Sequence, residues 1–195
     1  MKKIIAIFFS LVLFSSQSLK AEEGQFRLGV ELGYSPVELE AEDTAQGIAN
    51  ALGETVTTTY DKGVFVGRLF GEYGLTSSTA IEAGYFRTSS ADAKYAAASG
   101  SASESYDLSG FDLAVVLKST EGIYGKVGMH SSKVVGDAIA TVGSTSVILT
   151  GSAEGSGPLF GVGYEVNNAR YGITRYNSVG GIDTDLTFLS VGLLF

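Results

Sequence analysis

From Phe26 onward, apolar side chains fall on every second position of the chain. Phe26, Leu28, Val30, Leu32 and Tyr34 alternate with Arg27, Gly29, Glu31 and Gly33. A period of two marks a strand with two unlike faces, whereas a helix repeats every 3.6 residues. The alternation returns seven more times, over 65–73, 81–86, 111–118, 123–130, 160–166, 170–174 and 189–195. It predicts eight strands that can reach the ~9–11 residues a tilted membrane strand requires. Arg175 and Tyr176, at the end of the seventh, fit either face.

The connections alternate as well. Segments 74–78, 119–122 and 167–168 are short and turn-like, while 36–61, 88–106 and 132–156 are long and rich in Ala, Ser, Gly, Thr and acid. The last, 177–184, is intermediate. Short turns at one end, long loops at the other and an even strand number predict an all-β fold: an eight-stranded antiparallel up-and-down transmembrane β-barrel. Both termini then lie at the short-turn, periplasmic end.

The two faces of each strand differ in charge. One is aliphatic and aromatic. The other carries Gly, Ser and Arg27, Glu31, Arg68, Glu72, Glu82, Asp112, Lys126, Glu165 and Arg170. One charge on the lipid face at the bilayer midplane costs about 2–4 kcal/mol, so nine belong inside. An eight-stranded barrel has an interior that side chains alone can fill. Four positive and five negative charges nearly balance there, which predicts an ion-paired lumen rather than a wide, ion-selective pore. On the outward face, Phe26, Tyr34, Tyr73, Tyr85, Phe160, Tyr171 and Phe195 stand near strand ends, where interfacial aromatic girdles belong.

Composition narrows the function classes. The 195 residues suit one domain and contain 26 Gly, no Cys and one His. Disulfides, thiolate metal sites and Cys nucleophiles are excluded. The net charge of -8 argues against nucleic acid, whose phosphates need Lys and Arg. Lys2 and Lys3 precede an apolar run over 4–14 and a polar stretch over 15–20. This is the pattern of a secretory signal peptide over 1–21, cleaved after Ala21, with the barrel domain over 22–195. The apolar run is shorter than the ~20 residues of a spanning helix. Removing three lysines leaves 10 minus 21, or -11.

Three stretches carry a family resemblance. They are Gly67-Arg68-Leu69-Phe70-Gly71-Glu72-Tyr73 with Glu82-Ala83-Gly84-Tyr85, Tyr124-Gly125-Lys126-Val127-Gly128, and the closing segment from Leu186 to Phe195. The chain resembles the small eight-stranded outer-membrane barrels, typified by the outer membrane protein A transmembrane domain and outer membrane protein X. In the closing segment, Leu189, Val191, Leu193 and Phe195 look like the signal read by the barrel-assembly machinery. The resemblance implies a monomer in the cell outer membrane, in contact with outer-membrane lipids. It implies a structural or surface-interaction role through the long loops and no cofactor. A narrow pore for small solutes is the alternative.

Chemistry has two candidates. His130 and Ser132 resemble the His-x-Ser pair of barrels that deacylate lipid A, in which imidazole activates the hydroxyl. Both lie on the inward face, away from lipid, and no neighbouring acid orients the base, so no catalytic residue is expected. Glu38, Glu40, Glu42, Asp43, Glu54 and Asp61 offer hard oxygen ligands, but their spacing is not that of a calcium loop and no metal is expected. The alternation of Glu38, Glu40 and Glu42 with Val37, Leu39 and Ala41 predicts a hairpin extended beyond the membrane, with a kink or bulge at Pro36. Val134, Val135, Ile139 and Val142, with Val147, Ile148 and Leu149, predict a protruding ribbon whose edges offer strand addition.

Overall fold

A computed structural model of the chain describes residues 23–37, 41–182 and 184–195. The signal peptide over 1–21, and Glu38 and Glu40, lie outside the described residues. Eight strands form the barrel: β1 (Phe26–Pro36), β3 (Gly63–Gly74), β4 (Thr79–Thr88), β6 (Gly100–Lys118), β7 (Ile123–Val142), β8 (Thr145–Val166), β9 (Ala169–Tyr176) and β10 (Leu186–Leu194). They are ordered β6-β4-β3-β1-β10-β9-β8-β7, and β7 returns to β6. The sheet is therefore closed and antiparallel throughout, with no edge left in its wall. First and last strands join in register, Leu32 opposite Val191 and Tyr34 opposite Leu189. The Phe195 N–H donates to the Leu28 carbonyl at 2.7 Å.

The short turns lie where the alternation breaks. Asn167 adopts φ 54°, a left-handed conformation that Asn tolerates, and Gly122 adopts φ 91°, which only glycine takes readily. The outward face is apolar along every barrel strand. Phe65 is 71% exposed and Phe111 67%, and Leu69, Val162 and Leu189 are similarly bare. Such a band suits hydrocarbon rather than water. The seven aromatic residues named above all face outward.

At the long-loop end the structure exceeds the sequence pattern. β6, β7 and β8 run for 19, 20 and 22 residues, well past the apolar belt. Two further strands, β2 (Thr57–Tyr60) and β5 (Ala91–Ala96), pair with each other and through β5 with β6. A five-stranded sheet, β2-β5-β6-β7-β8, thus rises from one side of the barrel.

The expected extended hairpin in the first loop is corrected. Residues Ala41–Leu52 form a helix, α1. Ala41, Ala45 and Ile48 recur at helical spacing and form its packed face against Ala93 and Tyr95. Glu42 and Asp43 occupy its first turn, where the helix dipole favours acids. Only the last of the three alternating pairs over 37–42, Ala41 and Glu42, falls in this helix.

Candidate functional site

The interior is filled in two layers. At the short-turn end all nine inward charges meet. Eight are buried and Glu165 is nearly so. Arg27 binds Glu72 at 2.5 Å and Glu165 at 2.8 Å. Arg170 reaches Glu72 at 2.6 Å, Glu165 at 3.0 Å, and Glu82. Arg68 grips Asp112 through two nitrogens, at 2.6 and 2.8 Å, and also meets Glu82 at 2.8 Å and Glu31 at 3.1 Å. Lys126 lies 3.4 Å from Glu82. Each guanidinium serves several carboxylates, so the whole forms one network.

One member is absent from the sequence-derived set. Lys118 Nζ bridges Glu72 at 2.7 Å and Glu165 at 3.1 Å. Its inward parity was the available signal, but its place beside a turn hid it. With it the network holds five cations and five carboxylates. Charge balance matters because an uncompensated buried ion costs several kcal/mol.

Glycines and aromatic rings shape the remaining space. A Cβ on Gly84 would stand 2.7 Å from Arg68 Nη2, and one on Gly29 would stand 2.1 Å from Phe70 Cζ. Arg68 and Arg170 lie 4.7 and 4.9 Å from the Phe70 ring centre, and Arg170 lies 4.8 Å from that of Tyr124, within cation–π range.

Above the network the inward face is aromatic and aliphatic, a second layer beyond the Gly, Ser and charge singled out on that parity. Tyr176 stacks on Phe188 with centroids 5.8 Å apart and contacts Phe86 at 4.5 Å. Val66, Leu159 and Leu186 pack in the same cluster. Tyr176 faces inward and joins the layers, its hydroxyl donating to Asp112 at 2.9 Å. Arg175 faces outward and pairs with Asp185.

His130 and Ser132 lie at the rim of this layer and are tied to the β9–β10 connection. His130 Nε2 is 2.8 Å from the Asn177 carbonyl, and the Gly180 N–H donates to Ser132 Oγ at 2.8 Å. His130 Nδ1 has no hydrogen-bond partner among the described residues. The arrangement seats the loop on the barrel mouth. In that loop the Asp185 carboxyl is held below its ordinary value, chiefly by the Ser178 N–H and also by Arg175.

The first-loop acids do not converge. Glu42 accepts from the Tyr60 hydroxyl, Glu54 from Ser99, and Asp61 from the Asp92 N–H. Among the described residues no cluster of three acidic, His or Cys side chains is placed to hold a metal. At the closing segment, Leu189, Val191 and Phe195 are exposed and Leu193 is half-buried, all on the outer face.

No protein-family model and no curated protein matches the chain. Solved structures do. OprG of Pseudomonas aeruginosa aligns with a TM-score of 0.56 at 10% identity, over 90% of this chain and 98% of its own. Ail of Yersinia pestis, in complex with the heparin analogue sucrose octasulfate, gives 0.53 at 11% identity over 89% and 99%. The fold is that of the small eight-stranded outer-membrane barrels. Within that fold this barrel is marked by a two-layer filling, ionic below and aromatic above, and by a tall sheet on one side of its mouth.

Proposed function

We propose that the protein is a monomeric integral component of the outer membrane with a closed lumen, and that it acts through surfaces at its long-loop end, outside the cell. The observation that carries this reading is the filled interior, where ion pairs and stacked rings occupy successive sections of a barrel too narrow for both a plug and a channel. The apolar belt supports residence among outer-membrane lipids, and the outward row Leu189, Val191, Leu193 and Phe195 supports insertion by the barrel-assembly machinery. No catalytic role is assigned to His130 or Ser132.

The contact surface is the raised sheet. From Ala138 to Ala153 the β7–β8 ribbon carries no charged residue, and Ile148 and Leu149 are 67% and 66% exposed. β8 meets β9 only from Leu159 onward. The β9–β10 connection covers it next, with the Asn177 N–H donating to the Pro158 carbonyl and Gly181 packed on Gly155, and from Thr145 to Glu154 its edge has no strand partner among the described residues, a template for an added strand. The connection from β1 to β3 carries several acids and a single base, Lys62, which disfavours a sulfated polyanion of the kind bound to Ail.

Single-channel recording of the refolded protein tests the closed lumen. The expected trace is silent; stable nanosiemens openings would establish the narrow-pore alternative. Heat-modifiable migration on unboiled gels verifies the barrel in the same sample.

A further inference from the structure

Above the aromatic layer the mouth opens into a cleft of about 900 Å³. Ala41 and Thr44 of α1, Tyr95 of β5 and Tyr106 of β6 form one side, and Val179 and Ile182 of the β9–β10 connection form another. The floor is apolar: Val64, Leu108 and Leu186 line it and belong to the same cluster as Phe86, Tyr176 and Phe188. The volume lies within the ~300–1,000 Å³ typical of small-molecule sites. Because those rings close the barrel beneath it, the cleft is a dead end, suited to holding an occupant rather than passing it.

Its charges select the occupant. Among the described residues four charged ones border the cleft: Glu104, Asp107, Arg175 and Asp185. Arg175 and Asp185 neutralise each other. Asp107 shares the outward parity of Phe111 on β6 and accepts a hydrogen bond from the exposed Ser90 hydroxyl at 3.2 Å. Glu104 shares the inward parity of Leu108 and accepts a hydrogen bond from the Tyr106 hydroxyl at 2.7 Å. A hydroxyl donor leaves the carboxylate charge intact, and Glu104 has no cationic partner among the described residues. It is half-buried beside apolar walls, where an unmatched charge is felt more strongly than in open water. The Tyr95 and Tyr106 rings in the same wall add faces that attract cations.

We propose that this vestibule is a binding site for small organic cations with an apolar body, of the arylalkylamine class. The hydrocarbon portion sits on the Val64, Leu108 and Leu186 floor, and Glu104 holds the ammonium group. The site rests on the sealed barrel only for its dead end.

The test uses two probes of one shape and opposite charge, 4-phenylbutylamine and 4-phenylbutyrate. Each is titrated calorimetrically into the full chain refolded in lipid nanodiscs. The amine is expected to bind saturably, with the carboxylate at least about tenfold weaker. Amine affinity should fall as salt is raised. Glu104→Gln should weaken the amine at least about tenfold, while Glu154→Gln, on the outer ribbon, leaves it unchanged. Heat-modifiable migration establishes that each variant is folded, and the probe pair with its salt dependence decides the matter on the unaltered chain if the Glu104 variant fails to fold. Equal binding of the two probes, no saturable amine binding, or an undiminished affinity in the folded Glu104 variant overturns the site. A conducting barrel overturns the closed-lumen reading instead, so the two failures are distinguishable.

Discussion

Arg170 Nη2 lies 2.6 Å from Glu72 Oε2, although 98 positions separate the two residues in the chain. They stand on β9 and β3, three strands apart around the wall, so the contact exists only once the barrel has closed. Removing one member of a buried pair leaves the other unmatched, at a cost of about 3–5 kcal/mol. Arg170→Ala exposes Glu72, Glu82 and Glu165 to that penalty together. Urea unfolding in lipid should show a loss of this order. The paired change Arg170→Ala with Glu72→Ala should cost less than the two single losses added. Simple additivity would mean that the pair does not couple.

Two layers fill the lumen, so on the proposed closed-lumen reading removing one should not open it. Arg68→Ala with Glu72→Ala empties part of the ionic section but leaves Phe86, Tyr176 and Phe188 in place above it. In planar bilayers this variant is expected to remain silent while losing thermal stability. Adding Phe86→Ala and Phe188→Ala should produce openings. Conductance from the charge variant alone would show that the aromatic layer does not seal.

Gly29 stands directly opposite Phe70 in the β1–β3 register, and a Cβ there would lie 2.1 Å from the end of the ring. Gly29→Ala must therefore displace Phe70 from beneath Arg68 and Arg170. Overpacking of this kind costs about 1–3 kcal/mol. Phe70→Leu, which shortens the side chain, should restore much of the loss in the same unfolding assay. If the second change only adds to the first, the two positions do not share the space.

The barrel was readable because its rule is local: strand residues face lipid or lumen by turns, and the nine inward charges follow from parity alone. What connects those charges was not readable. Arg170 meets Glu72 rather than another acid because of closure and stagger, which no single segment records. The upper layer escaped for a related reason. Phe86, Tyr176 and Phe188 are inward by parity but apolar by type, and type suggests the lipid face. Helix α1 was hidden because the alternation that runs up to Glu42 in the sequence drew attention away from the helical spacing of Ala41, Ala45 and Ile48. Lys118 was legible in parity, but its turn-side position concealed a side chain long enough to reach Glu72.

Asp185 gives the β9–β10 connection a pH dependence. Its carboxyl accepts the Ser178 N–H at 3.0 Å and pairs with Arg175, which together hold it below the ordinary value. A depressed folded value means that the interaction is fully present above the unfolded pKa, about 3.9, and is lost as pH falls through the folded one. The Ser178 amide resonance should therefore stay constant down to about pH 4 and shift below it. Asp185→Asn should abolish that shift. An amide that titrates near neutrality would place its control elsewhere.

The free edge of β8 should be visible in hydrogen exchange. From Thr145 to Glu154 this strand bonds to β7 on one side and to no strand on the other among the described residues. In an antiparallel pair, alternate amides point toward the partner, so every second amide there should be protected and its neighbours fast. Below Leu159, where β9 is also paired, protection should become continuous. The Gly155 position marks the change, because Gly181 of the loop packs against it too closely for any side chain. Ile148→Lys and Leu149→Lys should leave the exchange pattern and the barrel intact, since both side chains face solvent, while blocking the edge for an incoming strand. Uniform protection across 145–154 would mean that the edge is already occupied, and the surface for strand addition would have to be sought elsewhere.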